Sequence, residues 1–362
     1  MEIFKIFSSS TVAKFGVLFV LILGLSTVFY LRLKTNKVSL SFEPYMGKWG
    51  DVGFDLGQRF IMGEDGIVLM PYKVTESGKF ASVKNHEDAD IFQQMPMLIG
   101  QYALGRYAQI YYGNSTPEVR QDFFRHADWF VEKQNPQTGT YPVNFNWADI
   151  NAPWISAMYQ GRAMSVLARA YYLSGDEKYI EVAKLAFKPF RLDISEGGVV
   201  DYLEGFPIYE EYPGSADFRH VLNGFIFSLF GLWDFYQVTG DAEVLEKFNA
   251  GVDTLVQKLY LWEFDNGSYY QLGNSKSFSS KYHPIHVRQL AYLYDITGNE
   301  FFWDKALAWD AKTEDYVLKD RPLLETVKGI GRKFLQFYRF PPGFRDISYL
   351  FSLFKEESLA SK

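Results

Sequence analysis

The stretch Tyr171-Tyr172-Leu173-Ser174-Gly175-Asp176 returns in degenerate form as Tyr236-Gln237-Val238-Thr239-Gly240-Asp241 and as Tyr294-Asp295-Ile296-Thr297-Gly298-Asn299, and Tyr112-Gly113-Asn114 is a shorter version. In each copy the glycine can adopt the left-handed backbone conformation that stops a helix, and the following Asp or Asn can cap the next helix. The four glycines are separated by 62, 65 and 58 residues, which fits one helical hairpin plus a long return loop. The repeat therefore predicts four helical hairpins.

Apolar periodicity around these signals predicts which segments are helical. The predicted pairs are residues 92–112 with 117–134, 156–173 with 177–187, 221–238 with 242–259, and 284–296 with 300–313. Four successive hairpins predict a mainly α fold, an incomplete (α/α) toroid in which inner helices line a funnel and the return loops build its rim. We place this helical domain at residues 89–320.

The segment before the helical domain is predicted to be extended. Residues 66–74 are typical of a strand, and Glu76-Ser77-Gly78-Lys79 is typical of a turn into a second strand. This short β-hairpin region, residues 38–88, is expected to pack over the mouth of the helical domain. An aromatic-rich C-terminal tail covers residues 321–362, and its packing is left open.

Residues 15–31 are strongly apolar and uncharged, with Lys14 on one side and Arg32 on the other. This pattern predicts an N-terminal transmembrane helix in an anchor region over residues 1–37, and it favours an uncleaved signal anchor over a removed signal peptide. We expect a single-pass membrane protein whose helical domain lies outside the cytosol, on the periplasmic, extracellular or Golgi-luminal side. The basic residues around the span leave its orientation open.

Composition excludes several classes of function. The chain has 362 residues and a net charge of −6, which argues against nucleic acid as a partner. It contains no cysteine, so thiol nucleophiles, disulfides and thiolate metal sites are excluded. Five histidines spread along the chain make a histidine-rich metal site improbable, and no Gly-rich phosphate loop occurs. No metal and no cofactor are predicted, and the 18% aromatic content suits either a cleft that stacks on sugar rings or a Phe-rich core.

Two carboxylates and two phenols crowd into the loop that enters the third hairpin, Ile208-Tyr209-Glu210-Glu211-Tyr212-Pro213-Gly214-Ser215, with Gly205 and Pro207 as turn residues before it. We place the chemistry here, and the alternative is a solvated acidic turn. A second rim segment, residues 266–286, enters the fourth hairpin and carries Tyr270 and Tyr282. In it His283 and His286 share one helical face, where neutral imidazoles that donate to a ligand are favoured over a metal site.

These residues resemble the D-glucuronyl C5-epimerases of heparan sulfate and heparin biosynthesis. The resemblance runs from Gln93 to about Ala308. It is densest in Tyr209-Glu210-Glu211-Tyr212-Pro213 with Val221-Leu222-Asn223-Gly224-Phe225, and then in Tyr282-His283 with His286 and Gln289-Leu290. Weaker matches are Asp128-Trp129 with Asn135, and Trp154-Ile155-Ser156-Ala157-Met158-Tyr159-Gln160-Gly161-Arg162.

The resemblance implies an enzyme, an isomerase that inverts C5 of D-glucuronic acid residues in a heparosan-like polysaccharide to give L-iduronic acid. It assigns the two proton-transfer roles, one on each face of the sugar ring, to Glu211 and Tyr282, and it makes Tyr212 and Tyr270 necessary for activity. Animal members carry a large β domain with calcium sites, and these sites cannot be transferred to this chain. Where the family has an arginine three residues after the loop tyrosine, this chain has Gly273.

The reaction explains which residue types the site needs. Removing a proton beside a carboxylate creates a second negative charge, so aimed donors and a cation must stabilise the intermediate. Besides Tyr212 and Tyr270, the residues predicted to bind substrate are Glu210, Asn223, His283, His286, Gln160 and either Arg219 or Arg288, with Lys73 as a weaker candidate. Glu211 needs a raised pKa, which burial beside Glu210 would supply, and Tyr282 a lowered pKa, which needs a nearby cation.

Two other functions remain open from the residues alone. A polysaccharide lyase on the same fold would form the same carbanion and then expel the C4 oxygen, and a glycoside hydrolase is a weaker variant because Glu210 and Glu211 are adjacent. A non-catalytic polysaccharide-binding module is the second. The expected partners are an anionic glucuronate-containing polysaccharide and a membrane, and homodimerisation is left open.

Overall fold

The computed structural model describes residues 60–83, 86–265 and 267–313, together with Leu318. This part of the chain is mainly helical. Its α-helices are α1 (Pro96–Tyr111), α2 (Pro117–Lys133), α3 (Ala157–Ser174), α4 (Glu177–Ala186), α5 (Leu222–Thr239), α6 (Ala242–Lys258), α7 (His283–Thr297) and α8 (Glu300–Asp310). Its strands are β1 (Ile61–Met62), β2 (Val68–Val74), β3 (Phe80–Ser82), β4 (Ile91–Gln93), β5 (Val200–Leu203), β6 (Phe206–Tyr209), β7 (Glu263–Phe264) and β8 (Gly267–Ser268).

The repeated turn sequence forms the tip of each hairpin, as predicted. Gly175, Gly240 and Gly298 have φ angles of 71°, 65° and 66°, and each ends the first helix of a pair. The side chains that cap the second helix, Asp176, Asp241 and Asn299, each accept the backbone N–H two residues later. In the first hairpin Thr116 is the capping residue of α2, and it accepts the backbone N–H of Val119.

The helices form two layers. Helices α1, α3, α5 and α7 pack side by side in chain order, and α2, α4, α6 and α8 each pack on the outside of the preceding helix. This is the layering expected for an incomplete (α/α) toroid. The inner pair α3 and α5 is in backbone contact, because a Cβ atom at Gly231 would lie 2.3 Å from the Cα of Gly161. Helix α5 is apolar on almost all sides and is buried accordingly.

A small antiparallel sheet precedes the helices. Strand β2 pairs with β1, β3 and β4, and the predicted turn at Glu76-Ser77-Gly78-Lys79 joins β2 to β3. Strand β4 falls in a segment that was predicted to be helical from residue 92. Helix α1 begins only at Pro96, because the residue before a proline avoids the helical region and Met95 is extended, with φ −112° and ψ 125°.

A tight hairpin leads into the acidic loop. Strands β5 and β6 are joined by Glu204 and Gly205, which have φ angles of 51° and 85°, as a two-residue hairpin turn requires. Pro207, which was predicted to lie in a turn, is the second residue of β6 and pairs with Tyr202. Strand β6 ends at Tyr209, so Glu210 and Glu211 follow it directly.

No helix within the described ranges is long and apolar enough to cross a bilayer. The transmembrane helix predicted at residues 15–31 and the tail at 321–362 lie outside the described residues. The division of the chain into four domains therefore stays a prediction.

Candidate active site

The acidic loop is buried and fixed to its surroundings. Glu210 is 2% exposed and Glu211 is 5% exposed, so the pair is not a solvated turn. The backbone N–H of Ala157, at the start of α3, donates to the Glu210 carbonyl oxygen at 2.8 Å, and the Glu210 N–H donates to the carbonyl oxygen of Val199 at 2.8 Å. Burying a carboxyl group costs free energy, so each of these two neighbouring groups must either be stabilised by its surroundings or serve a function.

The side chain of Glu210 is stabilised by His220. The Glu210 carboxylate accepts the backbone N–H of His220 at 3.0 Å, and its other oxygen lies 2.5 Å from Nδ1 of the same residue. His220 has a φ angle of 56°, and its carbonyl oxygen accepts the indole N–H of Trp262 at 2.9 Å. These bonds occupy Glu210 in holding the loop, so its predicted contact with substrate is not supported by its geometry.

Glu211 has a different environment. Its Oε2 atom is buried without a hydrogen-bond partner among the described residues. Burial raises the pKa of Glu211 to about 7; a hydrogen bond from the Tyr212 hydroxyl opposes this rise, the charge of Glu210 adds to it, and Arg162 opposes it. The raised pKa agrees with the sequence prediction. At neutral pH this carboxyl group is close to half-ionised and can either accept or donate a proton.

The first turn of α5 makes room for the Glu211 carboxyl group. A Cβ atom at Gly224 would lie 2.1 Å from Oε2 of Glu211, so a side chain at this position is incompatible with the observed placement. The same turn is the positive end of the α5 dipole, which favours negative charge nearby. Gly224 is thus required by a close approach to the acid.

Three phenols predicted for the site lie around this carboxyl group. The rings of Tyr270 and Tyr282 are 4.4 Å apart, and the carbonyl oxygen of Tyr270 accepts the N–H of Leu222 at 3.0 Å, which ties its loop to α5. Glu211 contributes electrostatically to the raised pKa of Tyr212, Tyr270 and Tyr282 alike. The two rim loops therefore meet, as predicted.

The prediction of a lowered pKa for Tyr282 is wrong. Burial, followed by the negative charge of Glu211, raises the pKa of Tyr282 to about 12, and no cation is among its causes. Tyr282 is a protonated phenol at neutral pH. It is therefore ready to donate a proton rather than to accept one.

Tyr159 joins the cluster although the sequence did not single it out. It lies in the first turn of α3, is 5% exposed, and has a pKa raised by burial and then by electrostatic interactions with Tyr72, Glu211 and Tyr282. The side chain of Trp154 contacts both Tyr159 and Tyr212, with ring centroids 5.9 and 5.7 Å apart. The available signal was the stretch from Trp154 to Arg162, which gave only a weak family match.

The two histidines at the start of α7 form a clamp with Ser268, here called the histidine clamp. Nε2 of His283 lies 3.0 Å from the Trp309 carbonyl oxygen, which can only accept, so Nε2 carries the proton. Nδ1 of His283 then accepts from the Ser268 hydroxyl at 2.8 Å, and Nδ1 of His286 donates to the same oxygen at 2.8 Å. Burial lowers the pKa of both histidines, that of His286 to about 3, so both are neutral as predicted.

The clamp changes the role expected for His283. Both of its ring nitrogens are used within the protein, so it cannot donate to a ligand, which was the predicted contact. Ser268 lies two residues before Tyr270, and His283 follows Tyr282. The clamp therefore positions the two phenols instead.

Two predicted amides are buried in different settings. Gln160 is 0% exposed; its Nε2 donates to the carbonyl oxygens of Gly139 and Ala186, and its Oε1 accepts the N–H of Tyr141. All these hydrogen bonds of the Gln160 side chain are made with backbone groups, so a substrate contact is not supported. Asn223 lies next to Gly224 in the first turn of α5, and its Oδ1 is buried without a partner among the described residues. Asn223 thus remains a candidate for binding.

None of the predicted cations is among the groups that shift the pKa of Glu211 or Tyr282. Arg219 pairs with Asp201, Nη2 to Oδ2 at 2.8 Å, and its side chain is 50% exposed. Arg288 is half-buried on α7, and Lys73 is exposed on β2. At Gly273, where the family resemblance expects an arginine, a Cβ atom would lie 2.4 Å from the Asp217 carbonyl oxygen, so the adjoining loop occupies the space of any side chain. Arg162, which the sequence prediction left out, is the cation that acts on Glu211.

One group among the described residues has the composition of a metal site. Ligand-type atoms of Asp201, Glu210 and His220 lie within 4.8 Å of one another. Asp201 is already paired with Arg219, and Glu210 with His220. The group is a satisfied charge network, and its geometry does not call for a metal.

The fold and site together define a class of protein. It is a protein built of helical hairpins. Its inner helices and rim loops bring protonated phenols around a buried carboxyl group whose pKa is about 7. Such a set can move protons at a polarised C–H bond.

Comparison with known sequences narrows this class of protein to a particular family. Residues 134–311 match the family described as D-glucuronyl C5-epimerase C-terminus. The chain is 35% identical over 210 residues to the D-glucuronyl C5-epimerase of Caenorhabditis elegans, covering 52% of this chain and 34% of that protein. It is also 27% identical over 255 residues to an uncharacterised protein of Methanocaldococcus jannaschii, covering 67% of this chain and 77% of that one. Residues 134–311, just under half of the chain, therefore carry the C-terminal region of the D-glucuronyl C5-epimerase family, as the resemblance predicted.

The worm relative is much longer than the matched region, and this chain spans about a third of its length. Solved structures give weaker likenesses. Cellobiose 2-epimerase from Bacillus thermoamylovorans has a TM-score of 0.42 at 17% identity, covering 58% of this chain and 57% of that one. Unsaturated glucuronyl hydrolase from Streptococcus agalactiae has a TM-score of 0.42 at 17% identity, covering 62% and 61%. Scores this low carry no argument about activity.

Proposed function

We propose that this protein is an isomerase that inverts C5 of D-glucuronic acid residues within a heparosan-like polysaccharide to give L-iduronic acid. The observation that carries the proposal is Glu211, a buried carboxyl group with a pKa of about 7 that faces a cluster of protonated phenols. Family membership supports the reaction type, and the C5 position next to a carboxylate supplies the acidic C–H bond.

In the forward direction the ionised Glu211 removes the C5 proton, and the C5–H electron pair moves into the carboxylate to form an enediolate-like intermediate. Tyr282 then protonates C5 from the opposite face and becomes a phenolate. Tyr212, Tyr270 and the positive end of α5 stabilise the developing charge. The resting state at neutral pH, with Glu211 partly ionised and Tyr282 protonated, is set for this direction.

The two proton carriers predict how the rate depends on pH. Activity on glucuronate should rise as pH increases through about 7, because Glu211 must lose its proton to act as the base. The reverse reaction needs Tyr282 as a phenolate, which its pKa of about 12 disfavours. After each forward turnover a proton must therefore return from Glu211 to Tyr282, which restores the carboxylate and the phenol.

Incubation with heparosan in D₂O tests the proposal. Deuterium at C5 with unchanged chain length is the expected result. Chain cleavage with a new UV-absorbing unsaturated end would make the protein a lyase instead. Binding without exchange, unchanged in Glu211→Gln and Tyr282→Phe, would make it a binding module.

We also propose that residues 15–31 anchor the protein in a membrane, with the helical domain outside the cytosol. The uncharged apolar run supports the anchor, and the basic residues on both sides of it leave the orientation open. Membrane fractionation of the full chain at alkaline pH, followed by protease treatment of sealed vesicles, tests it. Release into the soluble fraction would contradict the anchor.

A further inference from the structure

Helix α3 carries two buried arginines seven residues apart, Arg162 and Arg169, which places them on one face of the helix. Arg162 is 1% exposed and Arg169 is 0% exposed. Each guanidinium lies over an aromatic ring, at 3.7 Å from the centroid of Phe227 for Arg162 and at 5.1 Å from that of Tyr107 for Arg169. The same kind of side chain therefore occurs twice in closely similar settings.

The partner of Arg169 is a structural carboxylate. Its Nη1 and Nη2 donate to the two carboxylate oxygens of Asp234, at 2.5 and 3.2 Å, and Nη1 also donates to the carbonyl oxygen of Ser165. This buried ion pair joins α3 to α5. It lies in the deep part of the helical layer, two turns along α3 from Arg162.

Arg162 lies at the end of α3 that meets the acidic loop. The N–H of Ala157, at the start of α3, donates to the carbonyl oxygen of Glu210 at 2.8 Å, and Arg162 follows only five residues later, about 7.5 Å along the helix axis. Glu211 is a group with which Arg162 interacts electrostatically. Along one face of α3, the deep arginine thus pairs with an aspartate that is held for structure, and the outer arginine interacts electrostatically with Glu211.

We propose that Arg162 is a positioning residue that acts through Glu211, as the buried positive charge that keeps this acid able to ionise inside its apolar pocket. The catalytic meaning of this inference rests on the proposed function. Burial and the neighbouring Glu210 both favour the protonated acid, which cannot accept a proton from substrate. Arg162 opposes both, and its guanidinium also favours the additional negative charge of the intermediate.

Direct titration of Glu211 tests the inference without substrate. Carboxyl ¹³C NMR spectra of the full protein, labelled at glutamate, are recorded against pH for the wild type, Arg162→Met and Arg162→Lys, and Glu211→Gln identifies the signal. We expect the Arg162→Met midpoint to rise by about one pH unit, and Arg162→Lys to stay near the wild type. An unchanged midpoint in Arg162→Met overturns the inference. Arg162→Gln replaces the methionine variant if that protein does not fold.

Arg169→Met is the matched control, since it removes the other buried arginine of the same helix face. It should lower the melting temperature, because Asp234 loses its partner, and leave the Glu211 midpoint unchanged. An equal rise in the midpoint of both variants would assign the effect to general loosening of α3, which overturns the inference.

Deuterium incorporation from heparosan extends the test to catalysis. At pH 7 Arg162→Met should be slower by about fivefold in kcat/KM, with most of the loss recovered at pH 9, where Glu211 is ionised again. An equal loss at every pH indicates a packing role and overturns the inference. If the wild type incorporates no deuterium, the proposed function fails, and the NMR titration still decides the role of Arg162.

Discussion

Glu210 and Glu211 are adjacent and almost equally buried, but the hydrogen-bonding environments of their side chains are opposite. Glu210 receives the backbone N–H and the ring nitrogen of His220, whereas Oε2 of Glu211 has no partner among the described residues. A folded protein hydrogen-bonds nearly all its buried carboxyl oxygens, so the exception is informative. The difference indicates that Glu210 is kept for structure and Glu211 for chemistry.

The comparison also shows how a loop can hold an acid at near-neutral pKa. The network of Glu210, His220 and Trp262 fixes the backbone, so the next side chain is carried into the apolar space beside Gly224. The energetic cost of burying Glu211 is offset by bonds made elsewhere in the loop. Four substitutions or titrations can break or sharpen this distinction.

The largest effect is expected for Glu211→Gln. The amide keeps the shape but cannot accept the C5 proton, so exchange of deuterium into the polymer should fall by about 10³-fold while the fold is retained. Near-UV circular dichroism and thermal unfolding provide the folding control. Residual exchange above a tenth of the wild-type rate would remove Glu211 from the proton-transfer role.

Glu210→Ala should act on stability instead. It leaves the N–H and ring nitrogen of His220 without their acceptor, and we expect unfolding to become easier by about 3 kcal/mol. Chemical denaturation at pH 8 measures the difference. If this variant were as stable as the wild type but inactive, the roles of the two carboxylates would have to be exchanged.

The dependence of stability on pH should separate Glu211 from the other titrating groups. Its pKa rises from 4.5 in the unfolded chain to about 7 in the folded protein, so the folded state binds more protons between these values. Relative to Glu211→Gln, the wild type should lose about 3 kcal/mol as pH rises from below 4.5 to above 7. His286 acts in the opposite direction, since its pKa falls to about 3. Denaturation of both proteins across this range measures the difference, and a constant gap would contradict the raised pKa.

Gly224→Ala should give the smallest of the four effects. The added methyl group collides with the Glu211 carboxyl group, so we expect a loss of about 2 kcal/mol in stability together with reduced exchange activity. Ser228→Ala, one turn further along α5, is the matched control and should leave activity near the wild type. Full activity in Gly224→Ala would show that Glu211 can move away from α5 at no cost.

Much of the fold was readable from the sequence because it rests on local signals. The left-handed glycines and the Asp and Asn caps set the hairpin ends, and the observed helices begin and end close to the predicted residues. The start of α1 was misplaced because strand pairing of residues 91–93 with β2 is a long-range contact that no local pattern shows.

The site was partly predictable for the same reason. Glu211, Tyr212, Tyr270 and Tyr282 lie in two recognisable motifs, and the structure brings them together. Gln160, His283 and Arg219 share those motifs or their surroundings, but their bonds to backbone, Ser268 and Asp201 depend on packing between distant segments. The raised pKa of Tyr282 likewise depends on burial, which the sequence does not specify.

The contact between Gly161 and Gly231 limits how the proposed active site can adapt to a substrate. Since the α3 and α5 backbones touch there, the two helices cannot slide or separate without leaving a void. Tyr159 and Gly224, one on each helix, are therefore held in a fixed frame. Under the proposed function, any adjustment to different sugar chains has to come from the loops at 213–219 and 269–281, so exchanging those loops between family members is the direct route to an altered substrate range.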